Sequence, residues 1–322
     1  MTAKPFSLNL ANLLLPAVLF AVSLSVGIAD FRWSDVFSLS DSQQVMFISR
    51  LPRTFAIVLT GASMAVAGMI MQILMRNRFV EPSMAGAGQS AALGLLLMSL
   101  LLPAAPLPVK MSVAAVAALI GMLVFMLLIR RLPPTAQLMM PLVGIIFGGV
   151  VEAVATFIAY KNEMLQMLGV WQQGDFSSVL LGRYELLWIT GGLAVFAYLI
   201  ADRLTILGLG ETVSVNLGLN RTAVLWSGLI IVALITSLVI VTVGNIPFVG
   251  LVVPNIVSRL TGDRLRQSLP AVALLGASMV LLCDILGRMI VFPFEIPVST
   301  VFGVLGTALF LWLLLRKPAH AV

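Results

Sequence analysis

Ten apolar runs, most close to 20 residues long, follow one another along this 322-residue chain, and arginines or lysines mark many of their ends. A helix needs about 20 mostly apolar residues to cross a bilayer. The pattern therefore commits nearly the whole length to membrane-spanning helices. Composition agrees: 60% of residues are hydrophobic, only 10% are charged, and the mean hydropathy is +1.10. Soluble domains carry about 25% charged residues. No room is left for a soluble nucleotide-binding fold, and no phosphate-cradling GxxxxGK[ST] stretch occurs.

The runs are Leu8 to Ala29, Leu51 to Met75, Gly86 to Leu102, Val109 to Ile129, Leu138 to Tyr160, Tyr184 to Ala201, Thr222 to Val243, Gly244 to Asp263, Leu269 to Ile290 and Pro297 to Leu315. The first exceeds a signal-peptide core and reads as a retained span. Polar connections occupy Asp30 to Ser49, with Trp33 as an interfacial residue, then Lys161 to Arg183 and Asp202 to Arg221. With the N-terminus inside, Lys4, Arg76, Arg78, Arg130, Arg131, Arg203, Arg221, Arg259, Arg264, Arg266, Arg316 and Lys317 lie inside. Arg32, Arg50, Arg53, Lys110, Lys161, Arg183 and Arg288 lie outside, so the 19 basic residues divide 12 to 7. The positive-inside rule then places both termini in the cytoplasm and favours an even number of spans. The net charge of +6 reflects this topology rather than nucleic-acid binding.

The eighth run differs from an ordinary span. Gly244, Pro247, Gly250, Pro254 and Gly262 divide it into short pieces. Interrupted helices are tolerated in lipid only where protein or a watery path surrounds them, and transporters place pathways at such breaks. A kinked packing helix is the competing reading. A faint repeat points the same way. Leu51-Pro-Arg-Thr before the second run resembles Leu219-Asn-Arg-Thr before the seventh, and Gly144 with Glu152 resembles Gly276 with Asp284 at the same spacing. The repeats would be inverted halves, roughly residues 50–160 and 219–316, within one polytopic domain covering residues 1–322.

Glu152 and Asp284 lie inside runs, where an ionisable group is costly and functional by default. Proton coupling is one reading, and hydrogen bonding between helices is the favoured one. Cys283 is a packing residue, and His320 lies in the tail, which leaves no histidine or cysteine metal cluster. Gly61, Ser63, Gly68, Gly86, Gly88, Gly144, Gly148 and Gly149 permit close helix packing. The 17 methionines suit core filling or a deformable apolar passage.

Together these segments resemble one family. Arg50-Leu-Pro-Arg-Thr, Gly61-Ala-Ser, Gly68, Met71-Gln72, Asn77-Arg-Phe-Val-Glu-Pro82, Gly244-Asn-Ile-Pro-Phe-Val-Gly-Leu-Val-Val-Pro254, Asp284-Ile-Leu-Gly-Arg288 and Glu295-Ile-Pro297 fall in the order of the FecCD/BtuC-type permeases, which import iron–siderophores, haem and cobalamin. Asn255 departs from the histidine that many members carry, though asparagine can still hydrogen-bond there. The resemblance implies an all-α membrane fold of ten helices. It also implies a second permease subunit (identical or related), two ATPase subunits carrying ATP with Mg, a substrate-binding protein outside, and a bacterial inner membrane. No cofactor is expected on this chain and no enzyme chemistry.

The family's ATPase-coupling region falls on Leu207, Gly208, Leu209, Gly210, Glu211, Leu217 and Gly218, with a small helix expected from Glu211 to Asn216. A merely capped surface loop is the alternative. Its docking positions for the binding protein fall on Arg50 and Arg288, with Arg53 equally suited to snorkelling at a helix end. Asp284 and Arg288, four residues apart, also make an intrahelical pair possible. The expected function is permeation of a ferric siderophore. Cobalamin or haem is the alternative cargo, and an ion-coupled secondary transporter is the rival from another class.

Overall fold

The computed structural model describes residues 10–27, 44–131, 139–262 and 264–315. Among the described residues every regular element is helical. They are α1 (Leu10–Ser25), α2 (Met46–Leu74), α3 (Ala87–Leu101), α4 (Leu107–Arg130), α5 (Met139–Lys161), α6 (Leu165–Gln172), α7 (Leu186–Leu199), α8 (Ala201–Gly208), α9 (Glu211–Asn216), α10 (Arg221–Val243), α11 (Val249–Thr261), α12 (Leu265–Ile290) and α13 (Val298–Leu315). Trp33, Asp263, His320 and the terminal basic residues lie outside the described residues.

Among the described residues, six helices (α2, α4, α5, α10, α12 and α13) are long and apolar enough to cross a membrane. A seventh crossing forms if α7 and α8, bent by 64° at Ile200, count as one span. Three shorter apolar helices, α1, α3 and α11, remain. The segment from Asp202 to Arg221, expected as a loop around one small helix, is largely helical, because α8 occupies its first part. The small helix itself spans Glu211–Asn216 as expected. The connection after Lys161 likewise contains α6.

Helix α2 is the axis of the bundle. Its best apolar window is 72% buried, against 22% for α5 and for α13. The sequence explains the difference. Gly61, Ser63, Ala65, Ala67 and Gly68 give α2 a surface of small side chains that lets neighbours approach to backbone distance. A Cβ at Gly61 would lie 2.6 Å from the Gly276 carbonyl oxygen of α12, and one at Gly68 would lie 2.1 Å from the Gly250 carbonyl oxygen of α11. Ala56, Ile57, Met64, Ile70 and Met71 fill the spaces between and are essentially inaccessible. By contrast, α5 shows a full-length apolar face, with Leu142, Ile145, Ile146, Val150 and Phe157 all more than half exposed.

Candidate functional site

The break after α10 is built from backbone conformations that sequence alone strongly restricts. Gly244 ends α10 with φ +83°, and a Cβ there would lie 2.2 Å from the Gln173 carbonyl oxygen. Asn245 to Pro247 cross without helix, and Phe248 enters α11 with φ +69°. A bulky residue seldom adopts that region, so surrounding structure must hold it. Glu81 does part of this work. Its carboxylate, 3% exposed, accepts the Phe248 N–H at 3.2 Å and the Ser83 hydroxyl at 2.5 Å.

Pro254 sits inside α11. It has no N–H, so the carbonyl four residues earlier, on Gly250, loses its helical donor. Gln72 of α2 supplies one: its Nε2 donates to the Gly250 oxygen at 3.1 Å and approaches the Leu251 oxygen at 3.5 Å. Asn255 donates from Nδ2 to the Leu251 oxygen at 2.7 Å and to the Arg78 oxygen at 2.9 Å, so the residue that departs from the family's histidine does hydrogen-bond. The broken helix is thus fastened to α2 and to the turn after it. Gln72 and Glu81 were both within quoted motifs, but nothing local assigned them this part.

The coupling segment meets the same turn. A cavity of about 300 Å³ is lined by Gln72, Ile73 and Arg76 near the end of α2, Thr205 and Gly208 of α8, and Ser258 of α11. Leu207 is 5% exposed, and a Cβ on Gly208 would lie 2.8 Å from Ile73 Cγ2. Beyond Gly208 the surface turns outward. Leu209 and Leu217 are 64% and 63% exposed, and Val213 and Val215 join them. Gly210 (φ +124°) and Gly218 (φ +71°) bound α9 in conformations suited to glycine. Glu211 opens α9. Thr205 Oγ1 accepts the Leu265 N–H at 3.2 Å, and Asp202 pairs with Arg266 at 2.5 Å, which ties α8 to α12.

At the opposite end of α2 the three arginines turn inward. Arg53 pairs with Asp284 and with Glu295, both at 2.8 Å. Asp284 also meets Arg288 at 2.7 Å, so the intrahelical pair forms and Asp284 joins α2 to α12. Arg288 donates to the Ser23 and Val26 carbonyl oxygens at 3.0 and 2.6 Å, and Arg50 donates to the Leu24 oxygen at 2.6 Å. Two cations thus cap the last turn of α1, where unpaired carbonyls gather. Arg50 and Arg288 are 7% and 6% exposed. Direct docking through either guanidinium would require releasing these partners. Glu152 behaves differently from Asp284: it has no hydrogen bond or ion pair with a described residue.

Residues 14–316 match the FecCD transport family. The chain belongs to that family. A FecCD relative, the petrobactin import system permease protein YclN of Bacillus subtilis (strain 168), is 48% identical over 94% of this chain and 96% of its own length. The ferric-anguibactin transport system permease protein FatD of Vibrio anguillarum is 38% identical over 92% of the chain and 95% of its own length. The vitamin B12 import system permease protein BtuC of Serratia proteamaculans is 34% identical over 93% and 90%. A solved structure of a metal-chelate type ABC transporter in an inward-facing conformation superposes with a TM-score of 0.82 at 25% identity, covering 94% of this chain and 97% of that one. The FecCD family assignment and the apolar helices make this a multi-pass membrane protein.

Proposed function

We propose that this chain is the permease subunit of an ATP-driven importer that carries a ferric siderophore across a bacterial inner membrane into the cytoplasm. The observation that carries the reading is the shared cavity beneath the broken helix. There the exposed apolar segment that carries Leu209, Val213, Val215 and Leu217 adjoins the turn that fastens α11 to α2. Movement imposed on α8 and α9 would reach α11 through that turn without crossing lipid. In this reading two ATPase subunits bind Leu209, Val213, Val215 and Leu217 and hydrolyse ATP with Mg. A second permease, identical or related, completes the membrane part. A binding protein docks at the end that carries Arg50, Arg53 and Arg288, on the surface those arginines hold in place. Counting α1, α3, α11 and the bent pair gives ten crossings with both termini inside.

The cargo assignment follows identity. Relatives named for petrobactin and anguibactin stand at 48% and 38%, above the vitamin B12 permease at 34%. The test is uptake of radioactive iron, presented as ferric siderophore, by iron-starved cells with and without the gene. Loss of uptake, restored by the intact gene and not by a Gly210→Val variant, supports the reading. Unchanged iron uptake together with lost cobalamin uptake would move the cargo and keep the architecture.

A further inference from the structure

A second cavity, of about 220 Å³, lies between α3, α5, α6 and the break after α10. Gly88, Gln89, Glu152, Trp171, Gln172 and Asn245 line it. Its polarity is unusual for the interior of a membrane bundle, and two of its acceptors lack donors among the described residues. Gln89 Oε1 and Asn245 Oδ1 are each buried without a hydrogen-bond partner among the described residues. Glu152, which is only partly buried, has no hydrogen-bond partner among the described residues either. Native structures seldom leave buried acceptors unpaired, and each such atom calls for an explanation.

All three residues line this one cavity. A Cβ on Gly88 would lie 3.9 Å from Asn245 Cγ, so the Asn245 amide lies against α3 next to Gln89. The Gln89 amide in turn lies against Gly148 of α5, where a Cβ would be 3.4 Å from its Cδ, one turn before Glu152. Glu152 also borders an open groove on the exposed face of α5, with Gly149, Thr156, Phe157 and Tyr160. It therefore stands at the boundary between a wide apolar surface and a small polar chamber. Trp171 adds an indole to the chamber wall, and an indole face attracts cations.

Two amide oxygens, a carboxylate and an indole complement a donor that carries positive charge. We infer that this chamber binds an amine or ammonium group of the cargo, which enters from the α5 groove past Glu152. The inference rests on the import reading above and narrows its substrate class to iron chelates bearing a basic nitrogen.

The test uses two probes: a ferric trihydroxamate chelate with a free terminal amine, and the same chelate with that amine acetylated. Both keep the iron shell, and only one keeps the charge. Their binding to the detergent-purified complex containing this chain is measured without binding protein, and their ATP-driven uptake is measured in proteoliposomes. The amine chelate should bind more tightly, by about tenfold, the scale of one charge-assisted hydrogen bond. Glu152→Gln should bring the ratio close to one. Asn245→Asp, which adds an acceptor charge, should raise the ratio, and a misfolded variant cannot produce that gain. Equal binding of the two chelates, binding of neither, or an Asn245→Asp ratio no higher than wild type would overturn the site. Amine-selective binding without uptake of either chelate would count against import of these chelates and uphold the chamber.

Discussion

Gln72 Nε2 lies 3.1 Å from the Gly250 carbonyl oxygen, the acceptor that Pro254 deprives of its helical donor. A side chain on α2 thus completes the backbone of a helix 178 residues away. The pairing makes the break in α11 tolerable in a membrane, where an unpaired carbonyl is expensive.

The pairing predicts a specific non-additivity. Gln72→Leu should destabilise the purified permease by about 1–3 kcal/mol, the cost of an unsatisfied buried acceptor. In a Pro254→Ala background residue 254 regains an N–H, and the same Gln72→Leu change should cost less than half as much. A double-mutant cycle read by thermal unfolding measures the coupling. Additive effects would mean that Gln72 acts elsewhere.

Backbone contact between α2 and α11 yields a second expectation. Gly68→Ala would place a methyl 2.1 Å from the Gly250 oxygen, and no flexible side chain is there to yield. Membrane abundance should fall sharply. Gly192→Ala, on α7 with nothing within 4 Å of the added carbon, should leave abundance unchanged. Quantitative blotting of both variants, expressed from one promoter, decides the matter.

At the far end of α2, Asp284 serves two arginines. Asp284→Asn should destabilise by about 3–5 kcal/mol, because it leaves buried cations short of their counter-charge. Adding Arg53→Met should recover part of that loss. Recovery of stability in the double variant, followed by thermal unfolding, would mark the cluster as a structural tie. If Asp284→Asn instead unfolded like wild type, the cluster would carry little of the fold.

The exposed leucines of the coupling segment offer a fourth prediction. Leu217→Glu changes a side chain that is 63% exposed, so abundance should hold. ATP turnover stimulated by loaded binding protein should drop several-fold, since a charge would replace apolar contact. Gly210→Val should act differently. It forces a branched residue to φ +124°, at a local cost of about 1–3 kcal/mol, and should lower stimulated turnover by disordering α9. Normal stimulation in both variants would remove this segment from the coupling route.

Much of the architecture was readable from hydropathy, because a lipid environment imposes span length and internal hydrogen bonding. Glycine and proline also announced the break after Val243. The small helix Glu211–Asn216 could be placed because Gly210 and Gly218 bracket it. The helical character of Ala201–Gly208 was less visible, since charged Asp202 and Arg203 read as loop when the 64° bend at Ile200 is unknown. Arginine direction was hidden for a different reason. Arg50 and Arg288 look outward by position in the chain, but the α1 carbonyls they cap lie 26 and 262 to 265 residues away. Gln72 and Glu81 share that difficulty. Pro254 signals that an acceptor needs a donor, yet only the folded chain says which one.

The bend between α7 and α8 has a mechanical meaning. At about 1.5 Å per residue the eight residues of α8 form an arm of about 12 Å. A force applied at the Leu209 end acts as a torque about Ile200. At 64° the arm is set closer to perpendicular than parallel to the span it continues. A push along the span axis therefore has leverage on α8, whereas a straight continuation would simply transmit thrust. Because Gly208 bears on Ile73 and Thr205 on Leu265, that rotation would be delivered sideways to α2 and α12 together.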